Sequence, residues 1–207
     1  MEDVLVVKTE KLKDYIHGRV GLLTDKREAM LDIIIHEHEF IPRPAAEEDP
    51  SYRQIIPYVV LLQEGRVFTT RRLNKGGEAR LHGKISVGIG GHINPVDELD
   101  PERVLMRGLE RELHEEVAIE MMGELVPQGV INDDTNSVGS VHLGLCFTME
   151  VAGNVSVNET DKLTGAWMTP EELSAEHILP SPLDRRAAEA VANAVAEEAR
   201  KTGHARF

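Results

Sequence analysis

Apolar positions along the chain come in short bursts whose period switches between two and three to four, the mark of strands alternating with helices. Val4-Leu5-Val6-Val7 predicts a short strand, followed by a charged segment with a loose helical pattern. Thr24-Asp25-Lys26-Arg27-Glu28 reads as a helix start leading into Met30 to Ile35. From Pro42 to Pro50, prolines and acids predict a loop or linker, with a boundary near residue 50. The β-branched run Ile55 to Leu62, the turn Gln63-Glu64-Gly65 and the run Val67 to Thr70 predict a hairpin. Asn74-Lys75-Gly76-Gly77 reads as a loop, and residues 85–89 give a further strand that ends at Gly90-Gly91. A helix is expected from Pro101, where a first-turn proline loses no hydrogen bond, to about Val117. Val141 to Met149 alternates as a half-buried strand. Trp167-Met168 leads into Thr169-Pro170-Glu171-Glu172-Leu173, a capping box. Asp184 to Arg200 predicts an Ala/Glu/Arg-rich terminal helix.

The expected organisation is therefore an α/β chain with an N-terminal α/β extension (1–50), a main domain (51–182) and a C-terminal helix packed on it (183–207). At 207 residues, one good core is the default. The formal net charge of −13 argues against non-specific binding to nucleic acid or to an anionic membrane. An anionic substrate must then be captured by a local basic patch or by metal ions. The single cysteine, Cys146, excludes an intrachain disulfide and suits a reducing compartment. With no signal peptide and no apolar stretch near the roughly 18 residues of a membrane span, a cytoplasmic protein is expected.

The chemistry-bearing run is Leu109-Glu110-Arg111-Glu112-Leu113-His114-Glu115-Glu116-Val117. On a helix, Met106, Leu109, Leu113 and Val117 form a packing stripe, and Arg107, Glu110 and His114 face solvent. Glu112, Glu115 and Glu116 share a third side, with Arg111 at its edge. Like charges this close repel by roughly 1–4 kcal/mol per pair. Such a cluster either faces water or is neutralised by a cation, and magnesium takes carboxylate oxygens together with substrate phosphates.

These residues resemble the Nudix box, G-x5-E-x7-R-E-U-x-E-E-x-G-U, with U a bulky aliphatic. Gly91 matches the first glycine; Arg111, Glu112, Leu113, Glu115 and Glu116 match R-E-U-x-E-E, and Ile119 the final U. The resemblance covers roughly residues 54–180 and implies a Nudix-type α/β/α sandwich with a mixed β-sheet. It implies hydrolysis of a diphosphate linked to another group, with Mg²⁺ or Mn²⁺. By the same resemblance Glu112, Glu115, Glu116 and the Gly90 carbonyl hold metal. Arg111 orients Glu112, and one carboxylate, Glu112 in the first instance, helps to deprotonate water.

The chain also departs from that pattern. Gly91 to Arg111 is twenty positions, six more than the pattern has. The box's isolated glutamate corresponds to Asp97 counted from Gly91 and to Arg103 counted from Arg111; Glu98 and Glu102 stand nearby, so that ligand stays unassigned. Ala118 replaces the last glycine, at about 1 kcal/mol if the backbone there is left-handed. The resemblance also implies a metal-binding carboxylate from a later loop, for which Glu159 and Asp161 are the candidates.

Arg71, Arg72, Lys75, Arg80 and Lys84, against the one acid Glu78, form a basic patch ahead of the glycine pair; Arg71, Arg72 and Lys84 are the candidates to bind substrate phosphates. His36-Glu37-His38 reads as strand alternation rather than a metal pair. Asp133-Asp134-Thr135-Asn136-Ser137 begins like a calcium loop but has Val138 where glycine is needed and Gly144 where the bidentate glutamate belongs. Cys146 reads as a packed thiol, and Val191 and Val195 as a packing or homodimer face.

The leading expectation is a Mg²⁺-dependent phosphohydrolase acting on a small nucleoside diphosphate derivative. The alternative is a Nudix-fold module that binds a nucleotide without turning it over, supported by the lengthened loop and the extension. The isomerase branch of the fold resembles this chain less, since Cys146 lacks the setting of a catalytic cysteine. RNA decapping is disfavoured by the acidic charge.

Overall fold

The computed structural model describes residues 2–73, 85–97, 103–158, 160–169 and 172–173. The chain runs β1 (Asp3–Lys8), α1 (Thr9–Ile16), β2 (Gly21–Leu23), α2 (Arg27–Glu37), β3 (His38–Pro42), α3 (Arg43–Glu48), β4 (Tyr52–Gln63) and β5 (Arg66–Arg72). It continues with β6 (Ile85–Ser86), α4 (Val104–Glu116), β7 (Val117–Asn132), β8 (His142–Val157) and β9 (Leu163–Met168).

The strands form one mixed sheet in the order β2-β7-β8-β4-β1-β3, with β5 joining β4 to β6 and β9. The parallel pair is β4 with β8, in register from Gln54↔His142 to Leu62↔Glu150. Ten consecutive residues of β4, Arg53 to Leu62, are buried, as expected of a central strand covered on both faces. Glu64 and Gly65 both take positive φ, the conformation of a tight turn matched to sheet twist, and close the β4–β5 hairpin.

One face of the sheet packs Leu5, Val7, Ile55, Val59 and Leu61 against Leu12 and Ile16 of α1, Met30 and Ile34 of α2, and Leu105, Leu109 and Leu113 of α4. On the other face Ala46 of α3 covers Val4 and Val6, and Leu173 packs with Tyr58, Val60, Leu62 and Cys146. Helices thus lie on both faces of a mixed sheet. The first fifty residues place β1, β2 and β3 in that sheet, and β1 pairs directly with β4 from Val6↔Gln54 to Lys8↔Tyr52.

Several sequence expectations are corrected. The segment read as a loop between Pro42 and Pro50 contains α3, with Pro44 in its first turn and Arg43 Nε donating to Glu47 Oε1 at 2.9 Å. His36 and His38 do not alternate along a strand. His36 lies in the last turn of α2, and the His38 ring sits 2.8 Å from the Ile35 carbonyl, closing the helix end. The strand expected at 85–89 is regular only at Ile85–Ser86; Ile89 instead exchanges both backbone bonds with Val59. The packing stripe of α4 is Val104, Leu105, Gly108, Leu109 and Leu113, with Met106 half-buried. The capping box forms as read: Thr169 N–H donates to Glu172 Oε2 and Glu172 N–H to Thr169 Oγ1. The terminal helix expected at 184–200 lies outside the described residues.

Candidate active site

Helix α4 carries Arg111, Glu112, Glu115 and Glu116 along the side next to its buried stripe. Arg107, Glu110 and His114 are exposed on the far side, as the periodicity requires. The Arg111–Glu112 pair is withdrawn from water, at 26% and 15% side-chain exposure, whereas Glu115 is 60% exposed. Arg111 Nη1 donates to Glu112 Oε1 at 2.8 Å and to Glu115 Oε1 at 3.3 Å. One cation thus lies between two carboxylates that would otherwise repel, and it fixes the direction of the more buried one.

The other half of the guanidinium serves the segment after the glycine pair. Arg111 Nη2 donates to the His92 carbonyl at 2.8 Å and to Asn94 Oδ1 at 3.1 Å. Two glycines allow this approach. A β-carbon at Gly91 would collide with the Glu112 carboxylate, so the acid lies directly against bare backbone. A β-carbon at Gly108 would lie 2.7 Å from Ile93 Cγ1, so Gly108 admits the fully buried Ile93 against the helix. Gly90 packs onto the Pro57 carbonyl, and proline at 57 has no N–H to extend the pairing of Val59 with Ile89.

The helix end is held by the residue that follows β8. Asn158 N–H donates to the Glu116 carbonyl at 2.9 Å, and Asn158 Nδ2 to the carbonyls of His114 at 2.8 Å and Glu115 at 3.3 Å. These are the acceptors that a helix C-terminus leaves unmet. The chain then turns directly into β7 with Val117 extended, and Ala118 is not among the positive-φ residues. The strain considered for alanine in place of the box's last glycine is therefore absent.

Behind the loop, His92 Nε2 lies 2.9 Å from Gln54 Oε1, and its ring meets His142 edge-on at 5.8 Å. Burial pushes the His92 imidazole down to about 4, with the Arg43 cation adding to the effect. Burial also lowers His142, whose Nδ1 is 2.7 Å from the Val138 carbonyl. Both rings are neutral near pH 7.

Among the described residues, no three acidic, His or Cys side chains converge closely enough to hold an ion as they stand. The donor set is nonetheless suited to a hard cation. Glu112 and Glu116 are four residues apart, with Cβ atoms about 6 Å from each other on one helix face, and both are partly buried. Flexible carboxylates at that spacing can share one oxygen-loving divalent ion.

Of the proposed phosphate-binding residues, Arg71 is exposed on β5. It lines a cavity of about 290 Å³ with Thr69, Ile85, Thr164, Ala166 and Met168. Lys84 and the Arg72 side chain lie outside what is described, as do Lys75, Arg80, Glu98, Glu102 and Glu159; Asp161 is exposed before β9. Asp133, the start of the rejected calcium loop, is fully buried and accepts from Thr135 and Asn136 in a local turn. Cys146 is buried as read, its thiol pushed up to about 12 by burial. Asn158 and the contacts of Asn94 are the site features that sequence reasoning missed.

No family model matches the chain. It is 43% identical over 141 residues to Protein YmaB of Bacillus subtilis (strain 168), a match covering 66% of this chain and 68% of that one. It is 31% identical to Tm1382, a protein assigned to the Nudix hydrolases, whose crystal structure superposes with a TM-score of 0.78 over 95% of this chain and 100% of that one. The Nudix domain of Shewanella oneidensis NrtR, solved with ADP ribose, shares the fold at 15% identity and a TM-score of 0.50, over 72% of this chain and 88% of that one. The full-length correspondence with Tm1382, together with the run Arg111-Glu112-Leu113-His114-Glu115-Glu116 on its helix beside Gly91, shows that the chain belongs to the Nudix hydrolase family, hydrolases of phosphoric anhydride bonds.

Proposed function

We propose that the protein is a Mg²⁺-dependent phosphohydrolase, with Mn²⁺ able to substitute, that cleaves the diphosphate linkage of a nucleoside diphosphate-linked small molecule. The observation that carries this reading is the placement of Glu112. Its carboxylate is held by Arg111 Nη1 and pressed against the backbone of Gly91, one turn from Glu116. Glu112, Glu115, Glu116 and the Gly90 carbonyl are the proposed metal ligands. A bound divalent ion supplies charge neutralisation at the phosphates and lowers the pKa of a water.

The chain's own residues supply position and proton handling. Arg111 fixes Glu112, and Glu112 is the proposed acceptor of the proton released as water adds to one phosphorus. The bridging oxygen leaves with the other phosphoryl group. Arg71, Arg72 and Lys84 are proposed to bind the phosphates, offsetting the repulsion expected from a chain of net charge −13. Tight, metal-independent binding of a nucleotide without turnover would favour the binding-module reading.

The test is a panel of nucleoside diphosphate derivatives assayed with and without Mg²⁺, on the wild type and on Glu116→Gln. Turnover should require the metal. Glu116→Gln should lower kcat by about 100-fold or more while the protein remains folded, a loss comparable to removing one electrostatic group from a preorganised site. Equal turnover by the two proteins would remove the assigned mechanism.

A further inference from the structure

Asn94 joins the first strand of the chain to the arginine of the acidic helix. Its Oδ1 accepts from Arg111 Nη2 at 3.1 Å, while its Nδ2 donates to the Asp3 carbonyl at 2.9 Å and to Glu2 Oε1 at 3.2 Å. An amide suits this post because one end only accepts and the other only donates. One residue earlier the same loop is fastened again, where Leu5 N–H donates to the Ile93 carbonyl at 2.9 Å. Glu2 is itself held by Arg43 Nη1 at 3.0 Å, at the start of α3. Residues 92–94 are thus clamped between β1 on one side and α4 on the other, with Ile93 buried between them.

We infer that Asn94 is a positioning residue for the hydrolytic site, and that through it β1 is part of the scaffold that aims Arg111 at Glu112. The inference rests on the roles proposed for Arg111 and Glu112. The guanidinium is a rigid planar fork. Whatever fixes Nη2 therefore fixes Nη1, which meets the carboxylates of Glu112 and Glu115. Asn94 lies between the glycine pair and the helix, so it carries a support from the N-terminal strand to the box arginine.

The test uses the full chain as wild type, Asn94→Ala, Arg111→Ala and the double variant. It reads kcat and KM with Mg²⁺ on a diphosphate substrate that the wild type turns over. It also reads the Arg111 guanidinium N–H resonances in proton–nitrogen spectra, assigned by their loss in Arg111→Ala. Asn94→Ala should lower kcat about 10-fold, the low end of the effect of losing a group that orients a ligand side chain, because Asn94 acts on Glu112 through Arg111. KM should change little, the guanidinium resonances should shift and broaden as Nη2 loses the Asn94 acceptor and keeps the His92 carbonyl, and Asn94→Ala should add nothing in the Arg111→Ala background. A wild-type kcat, losses that multiply, or an unchanged guanidinium spectrum would each overturn the inference.

If Asn94→Ala does not fold, Asn94→Asp keeps the acceptor for Arg111 but sets a carboxylate against Glu2. It should be slow, and Glu2→Gln in the same chain should restore part of the loss; absence of that rescue counts against the inference. If the wild type hydrolyses nothing, the proposed function falls, and the guanidinium spectra still decide the role of Asn94.

Discussion

Gly91 lies so close to Glu112 that any β-carbon at position 91 would occupy the place of the Glu112 carboxylate. The glycine therefore sets where the acid can stand, beyond allowing the loop to bend. Gly91→Ala should leave the fold intact, because the group displaced is the far end of a side chain. It should lower kcat by about 100-fold, since a displacement near 1 Å of a reacting group has that cost. Circular dichroism and steady-state kinetics on the same preparation check this.

Asn158 holds the last turn of α4 through three hydrogen bonds, to the carbonyls of His114, Glu115 and Glu116. Asn158→Ala removes the two made by its side chain. The residue is exposed, so water replaces part of what is lost and the cost should be about 1 kcal/mol. Urea unfolding should show a lower midpoint with an unchanged slope.

Acid should weaken the metal-free protein before its carboxylates titrate. His92 is held at about 4, against 6.5 for a free imidazole, and His142 is shifted in the same direction, burial being the first cause for both. The unfolded chain therefore takes up protons that the folded chain refuses. Stability from these groups is complete above about pH 6.5 and is lost as pH falls towards 4, by up to about 3 kcal/mol from His92. Denaturant unfolding across that range should show stability rising with pH, and His92→Asn should flatten the slope.

The Cys146 thiol, raised to about 12 by complete burial between β4 and β7, should not react with a disulfide reagent at pH 8 while the protein is folded. Reaction should follow the unfolding curve. Fast reaction of the native protein would show that β8 opens locally.

What could be read from the sequence, and what could not, divides by distance along the chain. The acids and Arg111 lie within six positions, and helical period alone puts them on one face. The β4–β5 hairpin and the capping box at Thr169 are equally local. Asn94 and Asn158 escape such reading because their partners lie far away in sequence, at Asp3 and Arg111 for the one and His114 for the other. Nothing in the nearby residues marks them. β7 was also hidden. Its middle, from Ala118 to Val126, is largely exposed and interrupted by register shifts, so Met121-Met122-Gly123-Glu124 shows no period of two. The helix α3 was masked by Pro42 and Pro50 on either side and by Pro44, which occupies its first turn where it is tolerated. Helices on both faces of a mixed sheet agree with the Nudix resemblance, while the part of β1 in supporting the loop became visible only in the hydrogen bonds of Leu5 and Asp3 to Ile93 and Asn94.

The most direct measurement is a Mn²⁺ titration followed by electron paramagnetic resonance, on the wild type and on Glu116→Gln, with a non-hydrolysable nucleoside diphosphate analogue present. The free Mn²⁺ signal should be quenched by the wild type, and Glu116→Gln should weaken that binding by about 10-fold or more, as expected when one of few carboxylate ligands is lost. Equal quenching by the two proteins would show that the ion sits elsewhere, and the acidic face of α4 would then be a solvated surface.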